Sequence, residues 1–447
     1  MLTREQNELL TRVGPGTPMG RFMREYWIPA VLSEELPGPD SPPLRVKLLC
    51  EDLVAFRDTD GKVGLVAQNC PHRGASLFFG RNEESGLRCV YHGWKFDTTG
   101  ACVDMPNEPP ESNFKHKVKV TAYPCEERNG VVWTYMGPRR TPPPLPHLEW
   151  NMVSDNVPWM WRNFRACNWL QALEGGIDSS HVNFLHRTFA DTDTSTVPGT
   201  DAPRAAGTEI KRYAMNDAAP RLEIVDTSYG AIYTGARRVD DQTEYHRIHP
   251  FLYPNHNAIG GGVDEHDANY IGMVWVPMDD ETTLVLEYQW RASGPYSREE
   301  QARLMQVRNA WGFMPATGEA GSAWKFRANA SNDYLIDYEL QKTKLFCGIQ
   351  GNPLQDGAVQ EGMGPIYDRT RERLGTADAM IIRVRRLLLE AVTAYTEHGV
   401  TPPGVDNPEW YAIRPVGALL PPGSNWVEAT AARRTAFYQP AAQQTAH

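Results

Sequence analysis

The stretch that decides the fold runs from Cys70 to Asp97 and reads CPHRGASLFFGRNEESGLRCVYHGWKFD. It contains two short pairs of metal-binding side chains, Cys70 with His72 and Cys89 with His92, separated by sixteen residues. Both pairs fall in turns between runs of β-type residues, where backbone amides can point toward a bound group. Two cysteines and two histidines at this spacing predict a metal site.

Two kinds of metal site use this set of side chains. Tetrahedral zinc takes two cysteines and two histidines, but a classical zinc finger puts both cysteines on one knuckle and both histidines on a helix. Here each knuckle supplies one cysteine and one histidine. That alternation matches a Rieske [2Fe–2S] centre, in which one iron takes two thiolates and the other takes two imidazoles. The cluster is the favoured interpretation, and structural zinc is the alternative.

The residues around both pairs carry a resemblance to a known family. The segments CPHRGA and CVYHGWKFD resemble the Rieske domain of ring-hydroxylating oxygenases. Respiratory-complex Rieske proteins carry a further cysteine in each loop, where this chain has Ala75 and Tyr91. The likeness to phthalate dioxygenase and its relatives extends over nearly the full length, through residues 2–3, 14–20, 24–27 and 351–375.

The hydrophobic pattern changes along the chain and divides it. Residues 1–27 predict a helical lead-in, with large apolar residues at helical spacing at Met19, Phe22, Met23 and Trp27. Short β-type runs between about 45 and 136 predict a small antiparallel domain, and five prolines within 138–146 mark its end. Together with the resemblance, this predicts an α+β protein. An antiparallel β Rieske domain occupies 28–146, and a catalytic domain with an antiparallel sheet flanked by helices occupies 147–447.

A second set of candidate ligands follows the proline-rich connector. A helix is predicted over Asn168–Phe184, and Asp178 and His181, three residues apart, share one of its faces. His181 and His186 are five apart, which turns them about 140° from each other on an ideal helix. Joint binding of one metal therefore requires the helix to end or distort between them. Asp-x2-His-x4-His resembles the mononuclear iron motif of the same oxygenases, in which two imidazoles and one carboxylate leave positions for oxygen and substrate.

The third iron ligand must be a distant carboxylate. In the family an Asp ahead of a helix supplies it, and the resemblance assigns this role to Asp356 in GNPLQDGAVQE. A helix N-cap is the alternative role for Asp356, and Asp333 and Asp337 are the reserve ligands.

The chain contains no Gly-x-Gly-x-x-Gly fingerprint for a dinucleotide. A separate NAD(P)H-dependent flavin/iron–sulfur reductase is therefore expected to supply electrons at the cluster. The resemblance implies a homotrimer or a stacked hexamer, in which neighbouring subunits bring cluster and iron together. Asp178 is then the bridge, hydrogen-bonded between His181 and His92 of the partner subunit, because a carboxylate on a ligating imidazole fixes the ring and tunes its basicity.

Relatives of this group oxidise aromatic carboxylates of the phthalate, isophthalate, chlorobenzoate or phenoxybenzoate type. Arginine is the best partner for a carboxylate in an apolar cavity because its two parallel N–H groups match the two oxygens. Arg247 is favoured, on a predicted strand face that it shares with Tyr245 and His249. Arg212 is the second candidate, by loose register with the family, and Ser179 is a candidate hydrogen-bond donor. A surface or salt-bridge role is the alternative for each arginine.

Two reactions fit the same pair of metal sites. The first is cis-dihydroxylation of an aromatic carboxylate with O2, and the alternative is a Rieske monooxygenase or O-demethylase acting on an aromatic acid.

The net charge of −10 argues against nucleic acid as a partner. No run approaches the roughly 18 apolar residues of a membrane helix, and the polar start MLTREQNELL is unlike a signal peptide. A cytoplasmic protein is expected, and its seven cysteines are a poor disulfide framework.

Overall fold

The structure, a computed structural model, describes residues 1–153, 155–189, 213, 217–260 and 269–436. Two helices open the chain, α1 (Arg4–Thr11) and α2 (Pro18–Arg24). Thr3 and Thr17 cap them, and each hydroxyl accepts a hydrogen bond from the backbone amide three residues on. Trp27 was predicted to be helical but begins a strand, because its backbone pairs with Tyr135 across a sheet.

Three small antiparallel sheets follow the helices, as the alternating pattern predicts. The first pairs β1 (Trp27–Leu32) with β11 (Val131–Tyr135), and β11 also pairs with β10 (Cys125–Arg128). The second is built in order from β2 (Leu44–Leu48), β3 (Glu51–Arg57), β4 (Val63–Ala67) and β9 (Ala122–Tyr123). The third is built in order from β5 (Arg81–Glu83), β6 (Gly86–Arg88), β7 (Lys95–Phe96) and β8 (Cys102–Asp104). One Cys–His loop follows β4, and the other joins β6 to β7.

A larger antiparallel sheet forms the second half of the protein. Its path runs in order through β12 (Trp159–Arg165), β18 (Thr283–Arg291), β17 (Asn269–Pro277), β16 (His256–Gly260), β15 (Glu244–Leu252), β14 (Gly230–Arg238) and β13 (Arg221–Thr227). A further strand, β19 (Val416–Leu420), pairs with β15. The protein is α+β, as predicted.

Helices accompany the larger sheet. In the part of this half that the structure describes, the α-helices of six residues or more are α3 (Trp169–Ile177), α4 (Arg298–Arg308), α5 (Tyr338–Thr343), α6 (Asn352–Gly362) and α7 (Ala379–His398). Two short helices, α8 (Trp426–Ala429) and α9 (Ala431–Arg434), follow β19. Within the described ranges, none of the helices has the length and apolar character needed to cross a membrane.

One large apolar core crosses the boundary between the two halves. It runs from Leu10 in α1 through Trp133 in β11 to Val274 in β17 and Leu388 in α7, all of them fully buried. The Trp133 ring lies parallel to the ring of His256, with centroids 6.5 Å apart. A smaller, separate cluster of buried side chains surrounds the two Cys–His loops. The first sheet and helices α1 and α2 thus share a core with the larger sheet, whereas the loops have their own.

Candidate functional site

Helix α3 brings the chain to the second set of candidate ligands. Asn168 caps its start by accepting a hydrogen bond from the amide of Leu170 at 3.0 Å. The helix then packs tightly on the larger sheet at Gly176, where an added Cβ would lie 2.6 Å from the Trp275 ring. The carbonyl of Gly176 also accepts a hydrogen bond from the Asn257 amide at 2.7 Å. These contacts fix the position of the end of α3 relative to the larger sheet.

Helix α3 ends at Ile177, so the prediction of a helix as far as Phe184 is wrong in its second half. The cause is Asp178, whose carboxylate accepts a hydrogen bond from the amide of Ser180 at 2.6 Å. Such a local turn competes with the next helical hydrogen bond. The chain continues through a single 3₁₀ turn at His181–Asn183. The predicted break of the helix is real, but it comes before His181 and not after it.

This turn brings His181 and His186 together with Asp356. The two Nε2 atoms lie 3.2 Å apart. Oδ1 of Asp356 lies 3.3 Å from Nε2 of His186 and 3.7 Å from Nε2 of His181. One ligand atom from each of the three side chains falls within 4.8 Å of the others.

Asp356 was predicted to stand ahead of a helix, but it lies inside α6, four residues after its start. The N-cap of α6 is Gly351, so Asp356 does not have its alternative role, and among the described residues neither reserve ligand belongs to the group that could hold a metal. Asp337 instead caps α5 and accepts hydrogen bonds from the amides of Glu339 and Leu340. Asp333 lies in a strained turn with φ of 51°.

The outer nitrogens of both histidines face polar partners. Nδ1 of His181 lies 3.6 Å from a carboxylate oxygen of Asp178. Nδ1 of His186 lies 2.6 Å from the side-chain oxygen of Gln355, a residue that the sequence did not single out. Both rings therefore turn Nε2 toward the common point. Two imidazoles and one carboxylate are a donor set that suits a mononuclear non-haem iron with open positions, so the residues present fit that metal.

The two Cys–His loops have matching backbone geometry. In each loop the cysteine amide donates to a carbonyl five residues on, at 2.8 Å, and the cysteine carbonyl accepts from a glycine amide four residues on, at 2.9 Å. The glycines adopt positive φ values of 77° and 81°, which a glycine reaches without a steric cost. The carbonyls and glycines concerned are those of Ala75 and Gly74 in the first loop and of Trp94 and Gly93 in the second.

The side chains of these loops converge. Cys70 and Cys89 are buried, and the His72 and His92 rings lie 4.5 Å apart at their centroids. Trp94 stacks against His72 at 4.3 Å. Nδ1 of His92 is buried and has no hydrogen-bond partner within the described ranges, which leaves one imidazole nitrogen ready for a metal. Two thiols and two imidazoles, one of which carries this orphaned nitrogen, fit a Rieske [2Fe–2S] cluster.

Arg247 lies on β15, and its positive charge affects the pKa values of His249 and His181. Burial lowers the pKa of His249 well below its usual range, and the charges of Arg247 and Arg237 lower it further. Burial lowers the pKa of His181, but Asp178 and Asp356 outweigh it and raise that pKa above its usual value, and the charge of Arg247 opposes the rise. Arg247 is half-buried, and its guanidinium makes no hydrogen bond and no ion pair with the residues that the structure describes. A positive side chain beside the histidine pair is thus left without an anion.

Arg237, on the neighbouring strand β14, is fully buried. One guanidinium nitrogen donates to the carbonyl of Ser179 at 2.7 Å and to the side-chain oxygen of Asn183 at 3.3 Å. It forms no ion pair with any carboxylate that the structure describes. Burial and the nearby charge of Arg247 lower the pKa of Arg237 to about 10. Arg237 thus holds in place the segment that carries two of the candidate iron ligands, a role that strand alternation alone does not reveal.

The other two substrate candidates are less accessible. Ser179 is 1% exposed, and its hydroxyl lies 3.3 Å from Arg237, so its contact with substrate stays a prediction. Arg212 lies outside the described residues. The prediction that Arg247 shares a face with Tyr245 and His249 agrees with the strand register, which sets them opposite Gly235, Arg237 and Tyr233.

Two family models match the chain. The Rieske [2Fe-2S] domain model matches residues 26–124, and the model described as LigXa C-terminal domain like matches residues 134–445. The second match alone covers more than half of the 447 residues.

Characterised proteins of similar sequence cover nearly the same length. The chain is 41% identical to the 3-chlorobenzoate-3,4-dioxygenase oxygenase subunit of Comamonas testosteroni, over 95% of this chain and 96% of that one. It is 38% identical to the phthalate 4,5-dioxygenase oxygenase subunit of Pseudomonas putida, over 88% and 87% of the two chains. The crystal structure of dicamba monooxygenase bound to dicamba shares the fold, with a TM-score of 0.58 and 18% identity over 84% of this chain and 99% of that one.

Proposed function

Since this chain belongs to the Rieske oxygenases with a LigXa-like C-terminal domain, we propose that it is the terminal oxygenase that cis-dihydroxylates an aromatic carboxylate. Its cofactors are a Rieske [2Fe–2S] cluster and a mononuclear non-haem iron. The relatives named above act on 3-chlorobenzoate and phthalate, and both compounds are aromatic acids.

One observation carries the choice of an anionic substrate. Arg247 stands beside the iron-binding histidines with no carboxylate partner among the described residues. A guanidinium left unpaired in a partly desolvated site favours a bound carboxylate, because a charge-assisted, two-pronged hydrogen bond is among the strongest available. We assign Arg247 to this carboxylate, with Arg212 and Ser179 as further candidates.

The protein's own residues divide the remaining tasks. The cluster would be held by Cys70, His72, Cys89 and His92. The iron would be held by His181, His186 and Asp356. When bound, these groups supply single electrons and activate O2. Asp178 orients His181 through Nδ1, and Arg247 orients the ring of the substrate by its carboxylate.

The electron donor and the assembly belong to the same proposal. The relatives are named as oxygenase subunits, and this chain lacks a dinucleotide fingerprint, so a separate NAD(P)H-dependent reductase supplies the electrons. A homotrimer or stacked hexamer places Asp178 against His92 of the partner subunit. The protein works in the cytoplasm, where a reducing environment suits its seven unpaired cysteines. Its proposed parts are a helical lead-in at residues 1–27, a Rieske domain at 28–146 and a catalytic domain at 147–447.

Isotope-labelled product analysis tests the proposed reaction. The holoenzyme, a phthalate-type reductase and NADH are incubated under ¹⁸O2 with 3-chlorobenzoate, phthalate and a methoxybenzoate. We expect the enzyme to convert a benzoate to a cis-dihydrodiol in which both hydroxyl oxygens carry the label. A product with one labelled oxygen, or formaldehyde from the methoxybenzoate with no dihydrodiol, would instead establish the monooxygenase or O-demethylase alternative.

A further inference from the structure

A buried carboxamide lies directly behind the second iron-binding histidine. Gln355 precedes Asp356 on α6 and is 4% exposed. Its side-chain oxygen lies 2.6 Å from Nδ1 of His186, and its side-chain nitrogen donates to the carbonyl of Ile349 at 2.7 Å. Both ends of the amide are therefore in use, at a site shielded from water.

The contact with Ile349 decides which end of the amide faces the histidine. A backbone carbonyl can only accept a hydrogen bond, so the atom next to Ile349 must be the amide nitrogen of Gln355. The oxygen then faces His186 and can only accept. Nδ1 of His186 must consequently carry a hydrogen, and a neutral imidazole protonated there has its lone pair on Nε2. That is the nitrogen 3.3 Å from the Asp356 carboxylate.

The two histidines differ in what stands behind them. His181 has a carboxylate, Asp178, at its outer nitrogen, whereas His186 has the neutral amide of Gln355. An outer partner fixes the tautomer and the ring orientation of a metal-ligating histidine. Asp178 keeps 25% of its side chain exposed and can reach a second group. Gln355 is enclosed, so its whole effect falls on His186.

We propose that Gln355 is a positioning residue for the iron, which holds His186 in the Nδ1-protonated tautomer and anchors it to the backbone at Ile349. The inference rests on the proposed iron site of His181, His186 and Asp356. Because Gln355 and Asp356 are adjacent in α6, this one helix both supplies the ligand Asp356 and orients the ligand His186. A shift of α6 would therefore disturb two ligands together.

Metal titration of the iron-stripped protein, with its cluster retained, tests this role. Affinity for Fe(II) is measured for the wild type, for Gln355→Met, which keeps the volume but removes the strong acceptor, and for Gln355→Glu, which keeps an oxygen facing His186. Val359→Gln, at an exposed position on the same helix, is the control. Cluster absorbance and circular dichroism report whether each variant is folded.

We expect Gln355→Met to weaken iron binding by about 10- to 100-fold. Gln355→Glu should weaken it by less than Gln355→Met does. The control variant Val359→Gln should leave the affinity for iron unchanged. Iron affinity within about twofold of wild type in Gln355→Met would overturn the role, and so would equal losses in the two Gln355 variants, which indicate packing alone. The readout does not involve a substrate. A wild-type protein that binds iron yet forms no dihydrodiol contradicts the proposed function only, and one that binds no iron contradicts the site itself.

Discussion

Single carboxylates and arginines around the iron site act through charge, and Asp178 is the clearest case. It ends α3 by binding the amide of Ser180, and its second oxygen faces His181. A quarter of its side chain remains exposed. The same residue therefore shapes the backbone, places a carboxylate 3.6 Å from Nδ1 of a candidate ligand and remains partly open to solvent.

Replacement of Asp178 by asparagine separates these roles. Asparagine can keep the turn with Ser180 because its side-chain oxygen also accepts a hydrogen bond, but it loses the negative charge. We expect both metals to remain bound and the turnover rate to fall by about 100-fold or more. Iron analysis, cluster absorbance and kcat measure the three quantities. Normal product formation in this variant would remove Asp178 from the bridging role.

Arg247→Met tests the recognition of the carboxylate. Loss of a charge-assisted pair costs about 1.5–3 kcal/mol, so KM for 3-chlorobenzoate should rise by about 10- to 100-fold. An uncharged analogue such as 3-chlorobenzamide should be affected far less. Arg238→Met is the matched control, because Arg238 is 71% exposed on the neighbouring strand and pairs with Asp241. Equal losses for the acid and the amide would mean that Arg247 does not bind the carboxylate.

Helix α3 shows how an element sets the geometry of the site. Its two glycines, Gly175 and Gly176, let it lie close to α6 and to the larger sheet. Alanine normally improves a helix interior by about 1 kcal/mol relative to glycine. At Gly176 the added methyl would meet the rigid Trp275 ring at 2.6 Å, and overpacking of this kind costs about 1–3 kcal/mol.

Gly176→Ala should therefore lower the free energy of unfolding and reduce iron occupancy, since α3 positions Asp178 and His181. Chemical denaturation and iron analysis measure both effects. Gly175→Ala is the matched control, because its methyl would meet only the end of the flexible Gln360 side chain. A Gly176→Ala variant as stable and as iron-loaded as wild type would contradict this account of the helix.

The sequence predicts some elements well and others poorly, for physical reasons. The Cys–His loops are local, so spacing alone brings together Cys70, His72, Cys89 and His92 as candidates. No glycine or proline follows Ile177 to mark the end of α3, and Gly175 and Gly176 lie inside the helix. The end of the helix depends on a hydrogen bond from the backbone amide of Ser180 to the carboxylate of Asp178, and the apolar pattern continues beyond it. The position of Asp356 inside α6 and the contact of Gln355 with His186 depend on tertiary packing, which no local pattern encodes.

At the scale of the whole molecule, a buried ionic network joins segments that are distant in the sequence. Glu174 of α3 accepts from Arg369 at 3.0 Å and from Arg385 of α7 at 2.6 Å. Arg369 also donates to Asn7 of α1 at 3.1 Å, and Arg385 pairs with Glu372. Removal of one partner from a buried network leaves the others uncompensated.

Glu174→Gln should cost about 3–5 kcal/mol of stability near neutral pH. Burial alone would raise the pKa of Glu174, but the charges of Arg369 and Arg385 outweigh it, so the pKa is lowered from 4.5. The stabilisation is therefore complete above about pH 4.5 and is lost as the pH falls through the lower folded value. Denaturation across pH should show a shallower acid dependence in the variant.

Glu8→Gln serves as the control for this network, because Glu8 is 51% exposed and pairs with Arg12, the residue that directly follows its helix. Exposed pairs of this kind contribute little. If Glu174→Gln and Glu8→Gln destabilise equally, the buried network does not have the proposed weight.

The apolar core that runs from α1 through Trp133 to α7 has a consequence for protein engineering. Grafting an electron-transfer module from one parent onto the oxygenase half of another is attractive, yet a junction in the proline-rich connector would cut through shared packing. The cluster loops have their own small core and are the separable unit. A chimera that exchanges residues 51–123, which contain every buried member of that small core, while β1, β10 and β11 stay with the acceptor parent, should fold, whereas an exchange of the entire amino-terminal half should yield insoluble protein.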